Sequence, residues 1–312
     1  MKDTSLFAVL LVLASIAVAA GCTGTGPQPG PSAPAGTTGT AALSGPPSTS
    51  LELKDYVDHA AVFAHDEGKV AALAAFRDPA GPFVTGDVYN YALEYSGVAL
   101  ALPFQPGLVG TNFSPLRDSV GKPYTDIEIQ LAKSGGGYIL YRYPYPGTNT
   151  TALKISYVRP VDPTYWIGAG VYTSGDRLID PALRTFIDGA KTYAQQNGRE
   201  KALAAFNNLT GPFIQGDLYV FAYDYNGTVL AWPYRPDQLG VNRFNDTDPV
   251  GQHHIQAMIR AAGNGGGMVD YYSTDPSTNT TELKVSYVTD VDGTWFLGAG
   301  RYIRPGPLVL RA

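Results

Sequence analysis

A single cysteine, Cys22, stands among the 312 residues, which excludes an intrachain disulfide framework and any thiolate zinc cluster. Four histidines leave little material for a histidine metal centre. Charged residues make up only 16% of the chain, against about 25% in ordinary soluble domains. The net charge of −5 gives no electrostatic footprint for nucleic acid. No stretch beyond the amino-terminal segment is long and apolar enough to span a bilayer. What is present is 44% apolar residues, enough for real cores, with 36 Gly, 24 Pro and 21 Tyr against 12 Phe. The length predicts about two domains.

The amino terminus has the shape of a secretory signal. Lys2 precedes an apolar run from Leu6 to Ala20, and the small residues Ala19-Ala20-Gly21 stand directly before Cys22. That arrangement resembles the lipobox of prokaryotic lipoproteins, in which the cysteine becomes the lipid-modified first residue. A plain signal peptide or an uncleaved anchor is the alternative, and each reading exports the remainder. Residues 1–21 are thus expected to be signal peptide. Residues 22–50, without charge up to Ser50, are expected to be a flexible Gly/Pro/Ser/Thr tether. Asn-x-Ser/Thr sequons at Asn112, Asn149, Asn208, Asn226, Asn245 and Asn279 are glycosylation candidates in an exported chain.

The remainder is one unit written twice. FRDPAGPFVTGDVYNYALEYSGVALALPFQP at 76–106 returns as FNNLTGPFIQGDLYVFAYDYNGTVLAWPYRP at 206–236. SGGGYILYRYPYPGTNTTALKISYV at 134–158 returns at 264–288, and WIGAGVY at 166–172 returns as FLGAGRY at 296–302, all at an offset of 130. Units of this size are domains rather than solenoid repeats. The expected boundaries are 51–175 and 176–304, with 305–312 as a carboxyl-terminal tail. Each copy opens with a helical stretch, and Asp180-Pro181 reads as an N-cap followed by proline at the first helical position. Strands with alternating aromatics follow, then a Gly-rich loop, a short helix near 122–133, and three further strands. The glycine runs 135–137 and 265–267 read as turns before a strand, since they lack the lysine and setting of a phosphate loop. The fold class is α+β, one antiparallel sheet flanked by helices in each copy.

In order, the motifs are Ser96-Gly97 to Pro103, Gly110-x-Asn112, Asp118-x-x-Gly121, Gly135–Gly137, Lys154-x-Ser156-Tyr157-Val158 and Gly168-x-Gly170-x-Tyr172, with counterparts 130 residues later. Together they resemble the Cache family of PAS-like extracellular sensors, most closely its single-Cache type 2 form. The resemblance implies two tandem PAS-like Cache domains, each with a long amino-terminal helix and a central antiparallel sheet bearing a ligand pocket. It also implies sensing of organic acids or amino acids outside the cell. Two departures stand out. No membrane helix leads to a signalling module, and the histidine often found before the proline is Leu102 or Trp232 here.

A turn centred near residue 148 places Arg142 opposite Lys154 on one face of the sheet. Two neighbouring cations fit a carboxylate clamp, with Tyr89, Tyr91 and Tyr157 as pocket walls; a solvated pair on an outward face fits the pattern equally. In the second copy Lys284 remains, with Tyr219 and Tyr272 beside it, but Tyr272 occupies the arginine position and Asp270 lies nearby. The second pocket is therefore expected to differ in ligand or to serve structure only. The ladders Tyr89/Tyr91/Tyr95 and Tyr219/Phe221/Tyr223/Tyr225 otherwise read as core. His253-His254 reads as surface histidine rather than a metal pair, and Asp87, Asp217, Asp118 and Asp248 as caps on backbone N–H groups.

No catalytic constellation, metal motif or cofactor motif is evident, so no enzyme activity is expected. The leading expectation is a lipid-anchored binding protein that captures a small carboxylate or amino acid. It would present the bound state to a membrane receptor or transporter. A structural or adhesive surface glycoprotein is the alternative.

Overall fold

The computed structural model describes residues 45–310 apart from Asn149. The signal, Cys22, most of the tether and the Asn149 sequon lie outside the described residues. A helix, α1 (Ser50–Arg77), opens the fold behind a capping box: Thr49 Oγ1 accepts the N–H of Glu52, and Glu52 reaches back to the N–H of Thr49. It breaks at Gly68, where φ is 80° and ψ 163°. The second half repeats the device with α4 (Pro181–Asn197) and α5 (Arg199–Phe206), split at Gly198 with φ 80° and ψ 161°. Asp180 caps α4 through the N–H of Leu183, with Pro181 opening the helix, as the sequence indicates.

The first sheet contains β1 (Val84–Thr85), β2 (Val88–Glu94), β3 (Ala99–Ala101), β4 (Gly137–Pro144), β5 (Thr151–Asp162) and β6 (Tyr165–Thr173). Its order is β1-β2-β6-β5-β4, all antiparallel, with β3 also on β2. The helix α2 (Tyr124–Lys133) covers one face and α1 the other. A single turn, α3 (Gly175–Leu178), leads into the second half. There a two-residue pair, β7 (Ile214–Gln215) with β8 (Leu218–Tyr219), precedes the second sheet. Its members are β9 (Phe221–Asp224), β10 (Val229–Ala231), β11 (Gly267–Thr274), β12 (Thr281–Asp290) and β13 (Trp295–Ile303), in the order β10-β9-β13-β12-β11. Helix α6 (His254–Gly263) packs on β11 and β12. The α+β class with antiparallel sheets is therefore observed.

Period-two alternation sorts each strand between two environments. On β6, Ile167, Ala169 and Val171 join the α1-facing core, while Trp166, Gly168, Gly170 and Tyr172 face α2. Gly135 and Gly136 adopt φ 102° and 123°, which turns the chain from α2 into β4.

The segment after β13 is not a free tail. Ser50 N–H donates to Leu308 O at 2.9 Å, Leu310 N–H to Ser48 O at 2.7 Å, and Ser50 Oγ to Arg304 O at 2.8 Å. Backbone groups unpaired at the start of α1 are the reason, because a helix leaves its first N–H groups without intrahelical partners. The halves meet where the Tyr272 hydroxyl donates to Tyr138 O at 2.7 Å and Lys122 pairs with Asp270. Replacing Tyr272 by Phe removes one buried bond across this junction. It is expected to lower stability by about 1 kcal/mol in a urea titration, with the slope unchanged.

Candidate functional site

The first half buries an ammonium group inside its sheet. Lys154 lies mid-β5, opposite Tyr141 on β4 and Tyr172 on β6, and is 1% exposed. Its Nζ sits 4.3 Å from the ring centre of Tyr89, 5.3 Å from Tyr91, 5.2 Å from Tyr143 and 5.4 Å from Tyr172. Four π faces therefore surround one cation. Glu128 enters the same cavity from α2, 2% exposed, and accepts the Tyr91 hydroxyl at 2.6 Å. Burial raises the Glu128 carboxyl to about 7, partly offset by that hydrogen bond and by Lys154. Burial likewise lowers the Lys154 ammonium to about 7, against the pull of Glu128 and Asp87. The cavity volume is about 20 Å³, room for roughly one water molecule.

Glycine makes the cage possible. A Cβ on Gly170 would lie 2.6 Å from Lys154 Cε and 2.3 Å from Ser156 Oγ, and one on Gly168 would lie 2.6 Å from the Tyr91 hydroxyl. The Gly-Ala-Gly strand is thus the floor on which the lysine and tyrosine lie. Gly170→Ala is expected to cost about 1–3 kcal/mol through overpacking, read as a lowered urea midpoint.

Tyr89 and Tyr91 line the cage. Arg142 and Tyr157 do not. The turn is centred one residue-half earlier than position 148, so Arg142 pairs with Leu153, and Tyr141 pairs with Lys154. A shift of one in the pairing sends a side chain to the other face. Arg142 is exposed, and Tyr157 faces α1, with Lys54 Nζ 5.7 Å from its ring centre. The clamp of two cations is therefore replaced by one cation among tyrosines. Glu128, Tyr143 and Tyr172 complete the cage unanticipated as site residues. For Glu128 a signal existed: Tyr124, Glu128 and Ala132 follow i, i+4, i+8 spacing on the buried stripe of α2.

The second half keeps the lysine and changes its surroundings. Lys284 is fully buried, 3.9 Å from the ring centre of Tyr219, 4.7 Å from Tyr302 and 5.5 Å from Phe221, and its Nζ has no hydrogen-bond partner among the described residues. Met258 stands 130 residues after Glu128 and Ser273 after Tyr143, so a carboxyl and a ring are both missing. A cleft of about 480 Å³ is lined by Tyr219, Trp232, Arg235, Arg243 and Ser273. Trp232 lies between two guanidiniums, 5.8 Å from Arg235 and 5.1 Å from Arg243. Tyr272 also lines the cleft, although its hydroxyl is committed to Tyr138.

The recurrent aspartates do structural work. Asp118 accepts the N–H groups of Val120, Lys122 and Arg142, and Asp248 those of Val250, Gln252 and Tyr272. Asp217 instead pairs with Arg304, and Asp87 accepts the Tyr145 hydroxyl. His254 is not a surface histidine: it stacks on Tyr271 at 5.0 Å. No group of three or more potential metal-ligating His, Cys, Asp or Glu side chains forms among the described residues, and no described helix is long and apolar enough to cross a membrane.

Residues 79–304 match the Cache domain family model, and the chain belongs to that family. Over 123 residues it is 32% identical to the sensor histidine kinase MctS of Rhizobium johnstonii, a match covering 39% of this chain and 26% of the kinase. The chain thus spans about a quarter of that curated relative. Among solved structures it is similar to a methyl-accepting chemotaxis protein from Vibrio parahaemolyticus, at 22% identity and TM-score 0.35, covering 39% of this chain and 86% of that one. A Cache chemosensory domain solved for carboxylic acid recognition matches at 27% identity and TM-score 0.32, covering 39% and 84%.

Burial lowers Lys284 from its usual 10.5 to about 7. Between those values the unfolded chain holds a proton that the folded chain has released, so stability increases with pH across this window and is lost as pH falls toward 7. Urea titrations from pH 7 to 10 should show that rise in the parent. Lys284→Met should flatten it by up to about 1.4 kcal/mol per pH unit.

Proposed function

We propose that the chain is an exported sensing protein, held to the membrane by a lipid on Cys22, whose folded part is a tandem pair of Cache domains. It binds a small carboxylate, an organic acid or an amino acid, and hands the bound state to a membrane receptor or transporter. The observation that carries this reading is the Lys154 cage: a buried cation set among four tyrosine rings, with the carboxyls of Glu128 and Asp87 acting on it, gains from an arriving anion. Membership in the Cache family and relatedness to a sensor histidine kinase over 123 residues support a sensing role. Cage size favours short chains, because the space beside Lys154 is about 20 Å³ and a ligand must shift a lining ring such as Tyr143. Glu128 offers the ammonium of an amino acid a partner that a simple acid does not use. The second half, whose cleft is lined by Tyr219, Arg235 and Arg243, takes a larger anion. The role is binding, with no catalytic step.

A structural or adhesive glycoprotein is the competing reading. It draws on the exposure of all five described sequon asparagines, Asn112, Asn208, Asn226, Asn245 and Asn279.

Calorimetry and thermal melts with acetate, propionate and alanine separate the two. Lys154→Met is expected to weaken acid binding by about 2–5 kcal/mol while leaving the melting temperature unchanged or higher, since it removes a buried charge. Glu128→Gln should weaken alanine more than propionate. Raising the pH from 6 to 8 strips the proton from Lys154 and ionises Glu128, so affinity for acids should fall on both counts. Equal acid binding by the parent and Lys154→Met, or none by the parent, would favour the adhesive reading.

A further inference from the structure

Between the two halves runs a groove of about 490 Å³, walled by β4 and residues 118–123 on one side and by α6 and β11 on the other. Its charges are largely spoken for. Lys122 and Asp270 pair across it, and Asp118 has both carboxylate oxygens occupied by backbone N–H groups. Two guanidiniums are left, Arg142 from the first half and Arg260 from the second.

Both are exposed, and neither guanidinium makes a hydrogen bond, ion pair or ring contact among the described residues. The other described arginines, Arg177 apart, all have one. Arg77 bonds a carbonyl, Arg184 and Arg199 lie over rings, and the rest pair with aspartates. Two of the three partnerless guanidiniums thus line one concave surface, from opposite walls. A guanidinium presents a planar fork of donors that matches a carboxylate or phosphate group. Two forks facing one groove match a ligand with an acidic group toward each wall, and the volume suits a small molecule.

We propose that this groove binds a small dianion, a dicarboxylate or a phosphate, held by Arg142 and Arg260 and distinct from the lysine cages. Because its walls belong to both halves, an occupant ties them together. The site goes beyond the carboxylate-sensing role and does not depend on it.

Titration calorimetry of the full chain with succinate, inorganic phosphate and acetate tests the site. At least one dianion should bind about tenfold tighter than acetate, and whichever does identifies the preferred acidic group. Arg142→Gln and Arg260→Gln should each weaken it about tenfold, and the double variant further. These exposed positions leave the fold intact, checked by unchanged melting curves. Saturating propionate should leave dianion affinity unchanged, which separates this groove from the cage. Dianion binding that survives both substitutions, or absence of binding by either dianion at about 10 mM, would overturn the proposal.

Discussion

Placing a lysine ammonium in the middle of a β-sheet is the constraint around which the rest of the first half is arranged. Its desolvation is costly, and burial lowers its pKa against the pull of Glu128 and Asp87. Four tyrosine faces and a carboxyl held on α2 supply the compensation. The strand beneath gives up two side chains, at Gly168 and Gly170, to make room. Those glycines weaken a strand by propensity, and the same sacrifice recurs at Gly298 and Gly300, whose added Cβ atoms would lie 2.7 Å from Phe221 and 2.1 Å from Ser286 Oγ.

The two halves show one scaffold tuned in two ways. Where the first has Tyr143 and Glu128, the second has Ser273 and Met258, and a cavity of about 20 Å³ stands against a cleft of about 480 Å³. The backbone pairing hardly changes: Lys284 faces Tyr271 and Tyr302 as Lys154 faces Tyr141 and Tyr172. Differences in ligand reach therefore live in a few side chains. Mechanical connection between the halves lies elsewhere, in Tyr272 with Tyr138, in Lys122 with Asp270, and in the terminal segment laid against the start of α1. Tyr138 also donates its hydroxyl to Ser50 O, so β4 joins the cage, the second half and α1.

Much of this was legible in the residues. The 130-residue offset, the helix cap at Asp180, the turn glycines and the alternating tyrosines each follow from local chemistry that tertiary packing leaves alone. Lys154, Tyr89 and Tyr91 were recognisable on the same grounds. Arg142 was misplaced because the turn between β4 and β5 admits two centres that differ by half a residue, and strand periodicity turns that difference into an opposite face. Glu128 escaped because an acidic residue on an amphipathic helix reads as solvated unless its stripe is followed, and Met258 at the repeated position marks that stripe as buried. The 305–310 segment reads as a tail because it opens on Pro-Gly-Pro, yet unpaired N–H groups at a distant helix start gave it partners.

Whether Lys154 is a cation waiting for an anion can be read directly from its own titration. Carbon NMR of the chain labelled at lysine Cε, with Lys154→Met to assign the resonance, follows its protonation with and without propionate. A midpoint near 7 in the free protein that climbs when propionate is added is the expected result. A midpoint near the ordinary 10.5, or one indifferent to the acid, would contradict a ligand-seeking buried lysine.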